Sequence, residues 1–247
     1  MRKKKDYYEY WNKVNPEKTE LLDREKQPLE ILSRILKGKE KVLDLGCAEG
    51  DFLLEVQKRF PNVEVKGIDY SKKQLEVAKK KGLNVSFGDF EKGVKEKAKG
   101  FDVAYAGELI EHLYNPDLFL EEANRVLKDS GFLILTTPNL CAWFNRVFML
   151  LGIQPLFLEP STKSKLVGAG VLKKFKKEPQ PVGHVRIFTK EALEDLLEMH
   201  GFEVVEMKGS IYEEGLPDKV LKIDKIFKKY PKLSSRFVVL AKKVKDV

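Results

Sequence analysis

The chain has 247 residues, 43% hydrophobic and 34% charged, which is enough apolar material for a packed core and too much for a disordered chain. Its two cysteines, Cys47 and Cys141, cannot make a disulfide framework. Its most apolar stretch, VFMLLGIQPLFL, is broken by Gly152, Gln154 and Pro155 and is too short to span a bilayer. The start, MRKKKDYYEYW, is basic without the apolar run of a signal peptide, so a cytoplasmic location is expected. The net charge of +8 admits an anionic partner. Lysines and glutamates nevertheless alternate along most of the chain, as on an ordinary solvated surface. The exception is a basic run containing Lys163, Lys165, Lys173, Lys174, Lys176 and Lys177.

Residues 1–38 read as a helical preface, in which Tyr7, Tyr10 and Trp11 share a face and PLEILSRILKG has Pro28 near its start and Gly38 as its stop. From residue 39 onward strands and helices alternate. KVLDLG is a strand and DFLLEVQKRF a helix; VEVKGID is a strand, SKKQLEVAKKKG a helix and LNVSFGD a strand. FDVAYAG is the next strand, NPDLFLEEANRVLKDSG a helix closed by Gly131, and FLILTTP another strand. Such alternation implies an α/β fold with a parallel sheet covered on both faces. It breaks over residues 140–183, where an aromatic half with AWFNRVFMLL precedes a half rich in Gly, Pro and Lys. Thr189 then caps the helix KEALEDLLEMH, which Gly201 ends. FEVVEMKGS and RFVVLAKKV are the closing strands, and a second insertion at about 211–234 separates them with the helical KVLKIDKIFKKY. These two strands are expected to pair antiparallel at an edge.

Chemistry enters at the strand ends. KVLDLGCAEGDFL runs a strand through a small-residue turn into a helix, so a ligand can approach the backbone and meet free amides at the helix start. The spacing Gly46-Cys47-Ala48-Glu49-Gly50 is not the dinucleotide pattern G-x-G-x-x-G, and Asp44 stands within the strand end. Asp69 ends the second strand, where a carboxylate can accept both ribose hydroxyls. Asp89 ends the third, where it can accept from an exocyclic amine. One such acid would read as a helix cap; three on successive strands of one carboxyl edge favour a nucleoside ligand.

These motifs, VLDLGCAEG, GIDYS and GDF, are joined by FDVAYAGELIEHLYNPDLFLEEANRVLKDSGFLILTTPN and HVRIFTKEALEDLLEMHGFEVVE. Together they resemble the class I S-adenosylmethionine-dependent methyltransferases, and more narrowly the ubiquinone-pathway O-methyltransferase-like branch, over roughly residues 40–140 and 184–208. The resemblance implies a Rossmann-like three-layer sandwich with a seven-stranded, mostly parallel sheet, its last strand antiparallel, carrying helical lid insertions. It implies S-adenosylmethionine as cofactor. Asp44 and the backbone of Gly46, Cys47 and Ala48 would cradle the methionine moiety in the turn that Gly50 closes. Asp69 would hold the ribose with Tyr70 beside the adenine, Asp89 and the Phe90 backbone would contact the adenine amine, and the Gly107 carbonyl would meet the methionine amine. One departure is that Ala48 replaces a usual glycine, which is harmless if its φ is negative.

GELIEHL, residues 107–113, follows the fourth strand. On a helix, Glu108, Glu111 and His112 would share one face. In two branches of the family an acid-x-x-acid-His pattern with a distant histidine holds a divalent metal, which here implies Glu108, Glu111, His112 and His184. The bland reading is a polar helix start with His112 packed beneath the pocket. The favoured expectation is metal-free, with His112 as general base and Glu111 or Glu108 orienting it; His200 is expected to be a helix C-terminal residue. The chain lacks an Asn/Asp-Pro-Pro-Tyr/Phe motif and a Pro-Cys pair, which disfavours DNA amine and cytosine C5 methylation.

The expected acceptor is a small molecule methylated at a hydroxyl, apolar or aromatic with an anionic group. The 140–183 insertion either encloses it or packs AWFNRVFMLL on the core as an amphipathic helix, and Tyr7, Tyr8, Tyr10 and Trp11 either close the same pocket or staple the preface helix down. A metal-dependent RNA 2′-O-methyltransferase is the runner-up, although no RNA-binding module is recognisable. A non-catalytic nucleoside-binding protein on the same scaffold is the third reading.

Overall fold

A computed structural model describes residues 21–174, 180–213 and 216–247. Tyr7, Tyr8, Tyr10, Trp11, Lys176 and Lys177 lie outside these residues, as does most of the 1–38 preface. Seven strands form one sheet: β1 (Lys41–Leu45), β2 (Glu64–Asp69), β3 (Val85–Phe87), β4 (Phe101–Gly107), β5 (Leu127–Pro138), β6 (Phe202–Ser210) and β7 (Arg236–Lys243). Their spatial order is 3-2-1-4-5-7-6. All pairings are parallel except those of β7, which runs antiparallel to β5 and to β6. The closing strands pair as expected, but β7 slots between β5 and β6, so β6 is the edge.

Strand alternation sorts the core into two layers. On β4, Val103 and Tyr105 face one layer while Ala104 and Ala106 face the other; on β7, Val238 and Leu240 oppose Phe237, Val239 and Ala241. The first layer is covered by α1 (Asp23–Ile35), α2 (Asp51–Arg59) and α3 (Lys72–Lys80); the second by α4 (Pro116–Val126) and α6 (Lys190–Met199). Between them α5 (Trp143–Leu150) lies in the first insertion, and α7 (Asp218–Phe227) follows in the second.

The Thr189 cap read from sequence holds in α6, and the structure adds side-chain caps in α3 and α4. Ser71, Asn115 and Thr189 accept from the amides of Gln74, Leu118 and Ala192 at 3.4, 3.2 and 3.1 Å. Two boundaries differ. Pro28 lies inside α1, which begins at Asp23, and the Leu22 amide is held by Glu25 Oε2 at 2.8 Å. An interior proline costs about 3 kcal/mol. Burial of Leu29, Ile31 and Leu32 on the sheet, worth about 1.5–3 kcal/mol each, offsets it. The helix expected to close at Gly131 ends at Val126 instead, and Leu127 already pairs with Phe101. Gly131 lies within β5, where the pairing with β4 shifts register between Leu127 and Phe132: a Cβ there would sit 2.9 Å from the Lys128 carbonyl and 3.0 Å from that of Asp102.

Both insertions are pinned to the sheet end. Buried Asp224 on α7 accepts from Trp143 Nε1 at 2.9 Å, the Tyr212 amide at 2.8 Å and Ser235 Oγ at 2.6 Å. Trp143 also stacks on Phe227, with ring centroids 5.3 Å apart. No described helix is long and apolar enough to cross a membrane.

Candidate active site

Asp44, Asp69 and Asp89 all stand at the carboxyl edge, near the ends of β1, β2 and β3. Asp69 is buried and preorganised, with Oδ2 accepting from the Ala48 amide at 2.9 Å and Oδ1 from that of Ser71 at 2.7 Å. The Tyr70 amide donates to it as well, and a carboxylate offers about four acceptor positions, so capacity remains for a ligand hydroxyl. Burial still raises the Asp69 carboxyl, against the pull of those amides. Asp44 is raised well above its ordinary range, first by burial and then by the charge of Asp69. The same surroundings push the Cys47 thiol up, so this cysteine is an inert packing group rather than a nucleophile.

The turn differs from expectation in two respects. Ala48 has φ +48°, not a negative value. An alanine in the left-handed region costs roughly 1–2 kcal/mol, offset here by the bond its amide makes to Asp69. Nor are the turn's amides free: Gly46 and Cys47 both donate to the Ile68 carbonyl, at 2.8 and 3.0 Å, and Gly50 donates to the Cys47 carbonyl at 2.8 Å. The turn therefore offers shape rather than donors at these positions. Gly67 makes the shape possible, because a Cβ there would lie 2.6 Å from Cys47 Sγ.

Tyr70 faces exposed Phe87 across 5.6 Å, and Asp89 accepts from the Glu91 amide at 3.2 Å. Tyr70, Phe87, Gly88, Asp89, Leu118 and Arg125 are among the residues that line an open cleft of about 690 Å³. The Phe90 ring is buried edge-on against Phe119, so only its backbone faces the edge.

Gly107 ends β4 opposite Thr136 of β5, and a Cβ on it would collide with the Tyr105 hydroxyl at 2.2 Å. The chain then turns through Glu108, at φ +51°, into a single 3₁₀ turn, Ile110–His112. This is not the α-helix that would put both acids on one face. Glu108 turns to buried Arg236, whose Nε lies 2.7 Å from Oε2, and takes the Thr136 hydroxyl at 3.2 Å; Arg24 Nε lies 3.9 Å away. Glu111 points inward instead. It is fully buried; Oε2 accepts from Thr137 Oγ1 at 3.0 Å, and Oε1 has no hydrogen-bond partner. Burial, then the charge of Glu108, holds this carboxyl well above its ordinary range.

His184 joins Glu111 and His112. One ligand atom from each lies within 4.8 Å of the others, and the imidazoles are 5.0 Å apart. His112 Nδ1 is 3.2 Å from the Gly183 carbonyl and His184 Nδ1 is 2.9 Å from the Phe157 carbonyl. Each Nδ1 donates its proton there, which makes Nε2 the basic nitrogen of each ring. Burial and His112 keep His184 well below the usual histidine range, hence neutral. Of the four candidate metal ligands, three converge and Glu108 does not. An orphaned buried carboxylate oxygen beside two imidazoles held by carbonyls fits a divalent cation. His200 stands apart at the end of α6, with Nδ1 2.8 Å from the Leu196 carbonyl.

The residues that sequence reasoning missed are those that wall this cluster. The Arg236 guanidinium lies over Tyr212 and Phe157, 4.7 and 5.6 Å from their ring centroids, and Phe157 itself has φ +74°. Only the aromatic content of the first insertion signalled any of them.

A family model described as a methyltransferase domain matches residues 19–207. The chain belongs to this family. Its sheet order and covering layers are those of the class I S-adenosylmethionine-dependent methyltransferases. The methyltransferase chain is 36% identical over 103 residues to a ubiquinone biosynthesis O-methyltransferase of Pelagibacter ubique, covering 40% of this chain and 42% of that one. It is 38% identical over 103 residues to a malonyl-[acyl-carrier protein] O-methyltransferase of Halalkalibacterium halodurans, covering 39% and 38%. The aligned segments thus span less than half the length of these curated relatives. A solved SAM-dependent methyltransferase of Archaeoglobus fulgidus superposes with a TM-score of 0.61 at 20% identity, covering 96% of this chain and 99% of that one.

Proposed function

We propose that this methyltransferase-family chain moves the sulfonium methyl of S-adenosylmethionine to a hydroxyl oxygen of a small molecule. The observation that carries the proposal is the gathering of Glu111, His112 and His184 just beyond Gly107 at the carboxyl end of β4, on the same sheet edge as the three acids. O-methyltransferases among the relatives support an oxygen acceptor. Asp69 holds the ribose hydroxyls, Asp44 faces the cationic methionine end and Asp89 faces the adenine. The acceptor oxygen attacks the methyl in line. The C–S electron pair stays on sulfur, giving the neutral thioether, while the acceptor's proton passes to His112 Nε2. The Gly183 carbonyl holds that imidazole in the reactive tautomer. Phe157 packs on the neighbouring His184, on Tyr212 and under Arg236, and so excludes water on that side of the pair.

Glu111, His112 and His184 are also the residues that would hold a divalent cation, and the unpartnered Glu111 Oε1 favours this second reading. Such an ion lowers the pKa of a coordinated hydroxyl.

The test is transfer from labelled-methyl S-adenosylmethionine into small-molecule, lipid and RNA fractions of an extract, with and without chelator. Label in small molecules is expected. His112→Ala should cut transfer about 10²-fold or more with cofactor affinity kept, and Asp69→Ala should abolish binding in a folded protein. Loss of label on chelation supports the metal reading. Label confined to RNA overturns the small-molecule assignment, and failure to bind the cofactor overturns the whole reading.

A further inference from the structure

We infer that Glu159 is a positioning residue that clasps the middle of the first insertion to its C-terminal end and thereby sets the His112–His184 pair. This rests on the reading of those histidines as site residues. The insertion brings residues 157–159 against 182–184. Glu159 Oε1 accepts from the Val182 amide and Oε2 from the Gly183 amide, both at 2.7 Å. Gly183 has φ +96°, a conformation open to glycine that lets consecutive amides converge on one anion.

Each neighbour of this clasp touches the histidine pair. Two residues before Glu159, the Phe157 carbonyl takes His184 Nδ1; the carbonyl of Gly183 takes His112 Nδ1. Beyond His184, the amides of Val185 and Arg186 both donate to the Glu111 carbonyl, at 2.7 and 3.1 Å. The strap 182–186 is therefore suspended between the Glu159 carboxylate and the Glu111 backbone, with both imidazoles hung from it or from its counterpart strand. Phe157 holds its carbonyl and ring in place from a left-handed conformation that a bulky residue rarely adopts. The clasp two residues away opposes its relaxation.

Glu159→Gln tests this at almost constant volume. The amide keeps one acceptor oxygen but sets a donor against the second backbone amide, so the bidentate clasp cannot close. The chain has three histidines, so its imidazole nuclear magnetic resonance signals are readily assigned. Glu159→Gln is expected to shift those of His112 and His184 and leave His200 unmoved, with the melting temperature within a few degrees of wild type. Labelled-methyl transfer should fall about tenfold at unchanged affinity for S-adenosylmethionine, and Glu159→Asp, which keeps both oxygens, should recover part of it. Unmoved His112 and His184 signals, or equal shifts at all three histidines, would overturn the inference. Shifted signals in Glu159→Gln beside normal transfer in His112→Ala would uphold the clasp and overturn the functional reading instead.

Discussion

Asp44→Asn should abolish a pH dependence in both the stability of the unliganded chain and its affinity for S-adenosylmethionine. Asp44 is 2% exposed on β1, and burial followed by the charge of Asp69 raises its carboxyl well above the ordinary aspartate value, which is about 3.9. The folded chain therefore keeps a proton that the unfolded chain releases as pH rises past about 4. Stability is lost with rising pH through that window, by about 1.4 kcal/mol per unit for as long as the folded group stays protonated. At this chain length a kcal/mol moves the melting temperature by about 2–4 °C, so wild type should lose roughly 3–6 °C per pH unit relative to Asp44→Asn. The cofactor adds the opposite linkage. Its sulfonium and ammonium charges favour ionised Asp44, so binding expels the proton, and affinity climbs with pH by at most tenfold per unit between the bound and free pKa values. Asp44→Asn should bind more weakly and without that slope. Scanning calorimetry across pH reads the first effect, and titration calorimetry in two buffers of different ionisation enthalpy reads the proton release. Wild-type and variant curves that run parallel in both experiments would refute the assignment of a buried, protonated Asp44.

Two further substitutions probe the turn. Gly67→Ala places a methyl 2.6 Å from both Cys47 Sγ and Leu53 Cδ1, so overpacking should cost about 1–3 kcal/mol; adding Cys47→Ala should return part of it, and a melting temperature equal to wild type would show that the turn yields freely. Ala48→Gly relieves the strain at φ +48° but gives the unfolded chain more freedom. The net effect should be a gain of about 0.5–1 kcal/mol, read as a small rise in melting temperature, and a loss would mean that the left-handed conformation is not occupied.

The sequence alone was sufficient for every strand, the parallel pairing of the first five, the antiparallel pairing of the last two and the three acids of the carboxyl edge. Each of those properties is local: strand periodicity, turn residues and position at a strand end are written in runs of fewer than about ten residues. The resemblance to the methyltransferase family pointed to Glu108, Glu111, His112 and His184, of which the structure brings the last three together. What the sequence could not decide was direction. GELIEHL has helical spacing, yet Gly107 must fit over the Tyr105 hydroxyl, and Glu108 then turns at φ +51°. That turn sends Glu108 to Arg236, 128 residues away in sequence, and Glu111 inward to Thr137. Arg236, Tyr212 and the pair Phe157 and Glu159 lie in three segments that meet only once β7 has inserted between β5 and β6 and the first insertion has folded back on itself. Such contacts depend on closure of long loops, and the energy that selects them comes from packing and hydrogen bonds distributed over the whole edge. No local pattern records that sum, so the tertiary structure alone decides which carboxylate faces the histidines and which residue clasps the strap that holds them.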